Sequence, residues 1–145
     1  MALPTKLVLV VRSDLEANAA VNAAVVVGLS MGGRLPHLLG EDGADASGGV
    51  HAGLNPNPVP VLVADADQLR DLHDRARERE ELTVVGFNET ARRARDYDDY
   101  LRVLSGTPSG DVDQVAVAIF GPRNRVTGLT KRLPLLGSDH RGDAA

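Results

Sequence analysis

The sequence predicts a single-domain α/β protein with a mainly parallel, mixed four-stranded sheet and helices on both faces. Four short valine-rich apolar runs alternate with stretches of helical length, which is the pattern of strands joined by helices. Aromatic residues make up only 3% of the chain, so valine, leucine and alanine must fill the core. We assign residues 1–137 to the domain and residues 138–145 to a polar tail.

The four apolar runs are interpreted as strands. The first and the last are apolar almost throughout, which is typical of strands covered on both faces. The second run contains two prolines, which are expected at the entry of its strand or on a sheet edge. The runs are residues 6–12, 58–64, 82–87 and 112–120.

Helices are expected between and after these strands, at residues 17–31, 66–80, 96–105 and 123–132, with a short one after Asn88. The first is small or apolar nearly all round, which indicates a buried helix capped by Ser13 or Asp14. The second is amphipathic, with Asp65 or Asp67 as its cap. Residues 35–57 have no periodicity and are rich in Gly, Asp, Asn and Pro. They form a long loop of the kind that is usually functional or mobile.

Charge and composition restrict the partners. The chain carries 16 basic and 20 acidic residues, which argues against generic nucleic-acid binding. Residues 91–145 hold nine of the basic residues and seven acidic ones, so that part of the chain is slightly positive and tRNA stays open as its partner. No leader is visible, and the longest weakly polar segment, residues 17–33, falls short of the ~20 apolar residues of a membrane span. Together with the absence of cysteine, this predicts a cytoplasmic protein without membrane contact.

Polar residues follow the first and third strands, where open α/β sheets bind ligands. Arg12 and Asp14 follow the first strand, and Glu89 and Thr90 follow the third. We interpret these residues as candidates for binding or catalysis. The alternative is structural, with an ion pair at the first turn and a helix cap at the second.

Further candidates lie on the first helix, in the long loop and after the last strand. Asn18 and Asn22 are four residues apart and share a helical face, so their amides could read a carbonyl or a phosphate. Equally, these amides could form hydrogen bonds with nearby backbone groups. His51 could fold over a site, and Gly121 and Arg123 complete the predicted ligand-binding set.

Metal and cofactor motifs are not found in the sequence. His37, His51, His73 and His140 lack the spacing of a metal site, so no metal is expected. No glycine-rich turn opens a helix, and no serine elbow or cysteine offers a nucleophile. We therefore expect no cofactor.

Several short motifs, taken in order, resemble a known family. The chain is similar to the family catalogued as domain of unknown function 2000, whose fold is similar to that of the type 2 peptidyl-tRNA hydrolases. The resemblance extends across most of residues 6–136 and implies this fold and a homodimer. Its pieces are KLVLVV at 6–11, NAA at 22–24, GLS at 28–30, Gly53 with Pro58 and Pro60, LTVV at 82–85, and Gly121-Pro122.

The hydrolase signature itself is altered in this chain. Where the resemblance implies Lys, Gln and His on the first helix, the chain has Val21, Val25 and Gly28. An Asp and a Thr of the hydrolases correspond to Glu89 and Arg93. Ester hydrolysis needs a base and oxyanion donors, and the substituted side chains on the helix supply neither.

Three functions follow as expectations. The first is binding of a small or anionic ligand in a cleft near Asn22, Glu89 and Gly121. An alternative is hydrolysis of an acyl ester or amide, peptidyl- or aminoacyl-tRNA-like, with Glu89 as base and Asn22 polarising the carbonyl. Another alternative is a protein-interaction module that uses the first helix or loop 35–57.

Overall fold

The computed structural model describes residues 3–138, which form one α/β unit. The predicted tail, including His140, lies outside the described residues apart from Ser138. The strands are β1 (Thr5–Arg12), β2 (Gly43–Ala44), β3 (Val50–His51), β4 (Val61–Ala64), β5 (Thr83–Asn88) and β6 (Gln114–Pro122). The helices are α1 (Ala17–Arg34), α2 (Ala66–Arg77), α3 (Glu89–Arg93), α4 (Tyr97–Ser105) and α5 (Arg123–Thr130).

The main sheet is mixed, as predicted, with strand order β4-β1-β6-β5. β1 and β4 are parallel, whereas β6 runs antiparallel to both of its neighbours. Three strands therefore point one way, but two of the three pairings are antiparallel. A mainly parallel sheet was expected because strands alternate with helices along the chain. β6 keeps that alternation but runs in the opposite direction, because it inserts between β1 and β5.

Two hydrophobic cores lie on opposite faces of the sheet. Leu7, Leu9 and Val11 pack with the buried side of α1, whereas Val8 and Val10 pack on the other face with α2 and α5. Successive strand residues point to opposite faces, and here both faces are covered. This explains why the first predicted strand is continuously apolar.

The two edges of the sheet are treated differently. The outer edge of β4 is covered by the chain after α5. The Val63 N–H donates to Pro134 O at 2.9 Å, and the Leu136 N–H donates to Val61 O at 2.8 Å. β5 forms the other edge of the main sheet. None of the helices within residues 3–138 is long and apolar enough to cross a membrane.

Helix α1 is not buried all round, so that prediction was wrong. Ala23 and Val27 are buried against the sheet, but Val25 is 56% exposed and Leu29 is 74% exposed on the opposite face. Small apolar composition permits close packing on any side, but in the described residues the sheet covers only one. The face directed away from the sheet is called the outer face of α1 below.

The helix caps were predicted in part. Asp65 caps α2 through a capping box with Gln68, as the sequence indicated. Neither Ser13 nor Asp14 caps α1, which begins after Glu16 without a side-chain hydrogen bond at its N-cap. Asp14 lies two residues before this N-cap, and its carboxylate pairs with Arg12.

Loop 35–57 contains more structure than its composition indicated. A 3₁₀ turn covers Pro36–Leu38, and β2 pairs with β3 in a short antiparallel hairpin. The Gly40 N–H donates to Leu54 O at 2.8 Å, which closes the base of the loop. Gly53 lies against Gly40 so closely that a methyl group would overlap the Gly40 carbonyl oxygen.

This contact predicts the effect of adding one methyl group. Gly53→Ala should lower the free energy of unfolding by about 1–3 kcal/mol, because backbone rather than a flexible side chain must move. Gly43→Ala is the matched control, since no described atom lies within 4 Å of the added Cβ. Chemical denaturation measures both. Equal stability of the two variants would show that the loop closes differently.

Candidate functional site

The polar residues that follow the first and third predicted strands, and were predicted to form a site, lie at one edge of the sheet. β1 and β5 end there at Arg12 and Asn88, and β6 begins there at Gln114. The carboxyl edge thus gathers side chains from residues far apart in sequence. It is the edge at which open α/β sheets bind ligands.

Five charged side chains form a connected network at this edge, called the arginine cluster. Arg12 bonds to both Asp14 (Nε–Oδ1 2.5 Å) and Glu89 (Nη1–Oε1 2.9 Å). Glu89 also bonds to Arg92 (2.8 Å) and Arg93 (3.3 Å). Three guanidinium groups therefore face two carboxylates, and the cluster has an excess of one positive charge.

Helix α3 places Glu89 within reach of these arginines. Asn88 caps α3, its Oδ1 accepting from the Ala91 N–H at 2.9 Å, which fixes the turn after β5. Arg92 and Arg93 follow Glu89 by three and four residues, so they return to the same side of the helix. The Glu89 N–H donates to Asp113 O, which ties this turn to the start of β6.

The cluster sets the protonation of its own carboxylates. Burial raises the pKa of Glu89, but hydrogen bonds from Arg92 and Arg12 outweigh burial and hold its pKa below the ordinary value. The hydrogen bond from Arg12 likewise lowers the pKa of Asp14. Both groups are therefore carboxylates at neutral pH. A carboxylate with a lowered pKa is a weak base.

The start of α1 adds a second source of positive potential. The helix is 18 residues long, has no acidic residue in its first turn, and makes no side-chain hydrogen bond at its N-cap. The N–H groups of its first turn have no intrahelical partners, and the helix dipole is positive at this end. Asp14, two residues before the N-cap, links this turn to Arg12.

Thr90 lies beside the cluster, whereas the two asparagines do not join it. Thr90, Glu89 and Arg93 line a shallow cavity of about 290 Å³, whose lining also includes the acidic residues Asp99, Asp111 and Asp113. Asn18 and Asn22 are exposed on the outer face of α1, on one stripe with Val25 and Leu29. They point away from the sheet, so they do not share a cleft with the arginine cluster.

The three positions on α1 at which the resemblance implies Lys, Gln and His also lie on the surface of the helix. Val21 is 64% exposed, Val25 is on the same outer face, and Gly28 is exposed as well. Two of the polar side chains that the resemblance implies are replaced here by exposed valines, and the third by a glycine. The outer face of α1 is therefore an exposed apolar surface rather than a polar site.

The remaining predicted site residues lie elsewhere. Gly121 pairs with Lys6, and Arg123 donates to Leu3 O, so both are at the edge opposite Glu89. Gly121 packs against Leu82, where a Cβ would lie 2.5 Å from Leu82 Cδ2. His51 lies in the β2–β3 hairpin and contacts Asp45 at 2.9 Å.

Sequence reasoning missed a second polar concavity at the carboxyl edge, on the α2 face of the sheet. This polar pocket has a volume of about 380 Å³. Two features of the sequence indicate it: Gly86, an isolated glycine inside strand β5, and Gln114, a polar residue at the start of the otherwise apolar strand β6. Its lining includes Arg70, His73, Arg77, Gly86, Asn88, Tyr100 and Gln114.

The lowered pKa of Glu89 predicts a pH-dependent contribution to stability. Removing its charge in Glu89→Gln should cost about 1–3 kcal/mol at pH 7, since Arg12 loses a partly buried charged partner. Because the folded-state pKa is below the ordinary 4.5, wild type has this contribution above that pH and loses it as pH falls further. The gap between the proteins should therefore close under acid.

Urea unfolding at pH 7, 5 and 3 measures this gap. Asp71→Asn is the control, because the exposed Asp71–Arg75 pair should contribute less than about 1 kcal/mol. A loss in Glu89→Gln that stays constant across the three pH values would contradict the assigned pairing.

Comparison with known proteins supports the fold and identifies the family. A solved structure of a protein of unknown function from Agrobacterium tumefaciens str. C58 superposes with a TM-score of 0.83. It is 24% identical, and the match covers 92% of this chain and 98% of that one. Comparison with curated proteins gives no match. The model of the family described as "Protein of unknown function (DUF2000)" matches residues 5–137, and the chain therefore belongs to this family.

Proposed function

We propose that the protein binds a small anionic ligand, through a carboxylate or phosphate group, at the arginine cluster. The observation that carries the proposal is the excess of guanidinium groups over carboxylates beside the uncapped N-terminus of α1. Guanidinium groups and helix N-termini are the groups that proteins use to hold such anions.

The degrees of burial suit this role. Arg12 is 14% exposed and Glu89 is 16% exposed, so this pair forms a fixed floor. Arg92 is 41% exposed and Arg93 is 82% exposed, so both can turn toward a ligand from solution. An arriving anion would find two positioned positive groups without disrupting the Arg12–Glu89 bond.

The same geometry argues against the hydrolytic alternative. Glu89 is engaged by three arginines, and its lowered pKa makes it a poor acceptor of a proton. Asn22 faces away from the sheet, so it offers no hydrogen bond to a carbonyl near Glu89. We also propose that the chain has the fold of the type 2 peptidyl-tRNA hydrolases but lacks the side chains that catalyse their reaction.

The distribution of arginines favours a small anion over tRNA. Arg92 and Arg93 follow β5 at the carboxyl edge, while Arg123 and Arg125 follow β6 at the opposite edge. A polyanion needs basic groups along one continuous surface. The described residues divide theirs between two ends of the sheet.

Titration calorimetry with inorganic phosphate and with malonate at low salt tests the proposal. Arg92→Gln should weaken binding about tenfold or more, because it removes one charge-assisted hydrogen bond. Arg75→Gln, a half-exposed arginine of α2, is the matched control and should bind as wild type does. Absence of heat with both anions, or equal weakening in the control, would refute the site.

Self-association is a second candidate, and the exposed outer face of α1 favours it. Val21, Val25 and Leu29 expose apolar surface on successive turns of one helix. Contiguous exposed apolar surface is typical of an interface. We propose that a second copy of the chain covers this face.

Light scattering after size exclusion tests the homodimer. Leu29→Lys should halve the mass in solution while the protomer stays folded, since this side chain is 74% exposed. Leu54→Lys, equally exposed in loop 35–57, is the control and should leave the mass unchanged. A monomeric wild type would rule out the interface.

A further inference from the structure

We infer that the polar pocket on the α2 face binds a small uncharged heterocycle that carries an N–H beside a C=O, as a cyclic amide or imide does. This site is separate from the arginine cluster. The two sites flank the end of β5, where Asn88 lines the pocket and Glu89 belongs to the cluster.

The inference starts from Gln114, which is 4% exposed although it is polar. Within residues 3–138 its Oε1 has no hydrogen-bond partner. Leaving a buried amide oxygen unpaired costs free energy of folding, and such a group in a native protein calls for an explanation. A ligand that pairs with this amide supplies one.

A β-bulge aims Gln114 into the pocket. The β5–β6 register shifts between Phe87 and Asn88, so Phe87 pairs with Ala116 while Asn88 pairs with Gln114. As a result, Val115 and Ala116 both join the core on the α1 face, and the Gln114 side chain crosses to the α2 face. Bulges of this kind re-aim side chains beside functional sites.

Gly86 makes room for the amide. A Cβ at this position would lie 2.5 Å from Gln114 Oε1 and 3.1 Å from His73 Cδ2. A glycine weakens the interior of a strand, and it is placed where another group must come close. The amide and the imidazole therefore meet over bare backbone, in a pocket that Tyr100 also lines.

The arginines of the pocket are balanced by carboxylates, which sets the class of ligand. Arg70 bonds to Asp113 and Asp67, and Arg77 lies 3.7 Å from Asp74. They leave no excess of charge to attract a phosphate or carboxylate. The contrast with the arginine cluster is the reason for assigning an uncharged ligand here. The buried Arg70 Nε has no hydrogen-bond partner within residues 3–138, so it can donate to the C=O of a neutral ligand.

The remaining groups are neutral donors and acceptors. His73 is mostly buried, and burial followed by the nearby charge of Arg77 lowers its pKa, so the ring is neutral at pH 7. The Tyr100 hydroxyl accepts from Asn88 Nδ2 at 3.5 Å and has a proton to donate. The Gln114 amide can turn by half a rotation to present either its oxygen or its nitrogen. An adjacent N–H and C=O would match these groups.

Uracil is the probe for this pocket, and inorganic phosphate is its charged counterpart. We expect millimolar uracil to shift the amide resonances of Gly86 and Ser109 in ¹⁵N-edited spectra, and phosphate to leave them unchanged. Gln114→Leu should weaken uracil binding at least tenfold. It should not lower the melting temperature, since an unpaired polar group is replaced by an apolar one of similar size.

Asn124→Leu, an exposed amide in α5 at the opposite edge of the sheet, is the matched control and should bind uracil as wild type does. If Gln114→Leu does not fold, Gly86→Ala applies the same test, because its methyl group displaces the flexible end of Gln114. The inference is overturned if uracil causes no shifts, if phosphate shifts the same resonances, or if both pocket variants retain full affinity. None of these outcomes bears on the arginine cluster, which is probed through Arg92→Gln.

Discussion

The insertion of β6 between β1 and β5, antiparallel to both, is the constraint on which the rest of the structure depends. Val115, Val117 and Ile119 are fully buried in this strand, so β6 contributes to both cores. Its direction also decides which side chains share an edge. Gln114 joins Arg12 and Asn88 at the carboxyl edge because β6 begins where its neighbours end.

The same constraint explains what could be predicted from the sequence. The strands were recognisable because burial on both faces requires a continuous apolar run, as in Val8 to Val11. Their order was not, because pairing joins Thr5 to Pro122, two residues separated by most of the chain. No local pattern encodes that register. Gly121 and Arg123 were grouped with Glu89 for this reason, although they lie at the other edge.

Helix α1 shows a different limit of sequence reasoning. A helix of alanine, valine and glycine looks the same in sequence whether one face or all faces are covered. The sheet packs against Ala23, Val27 and Met31, and the remaining apolar side chains face outward. The cost of exposing them depends on what else contacts the surface, which is a property of the assembled protein. The meeting of Arg12, Asp14 and Glu89 at one edge was easier to predict, since these residues follow strands, whereas the bonds of Arg92 and Arg93 to Glu89 were not predicted.

The end of β5 shows how neighbouring residues can serve two different recognition tasks. Asn88 and Glu89 are adjacent, yet one faces neutral donors and acceptors and the other faces guanidinium groups. Asn88 also caps α3, so the bond that holds the helix fixes both residues at once. A charged site needs unequal numbers of opposite charges, whereas a neutral site needs its charges balanced and polar atoms left free to form hydrogen bonds. The two sides of this strand end meet these separate conditions, through three arginines on one side and a re-aimed glutamine on the other.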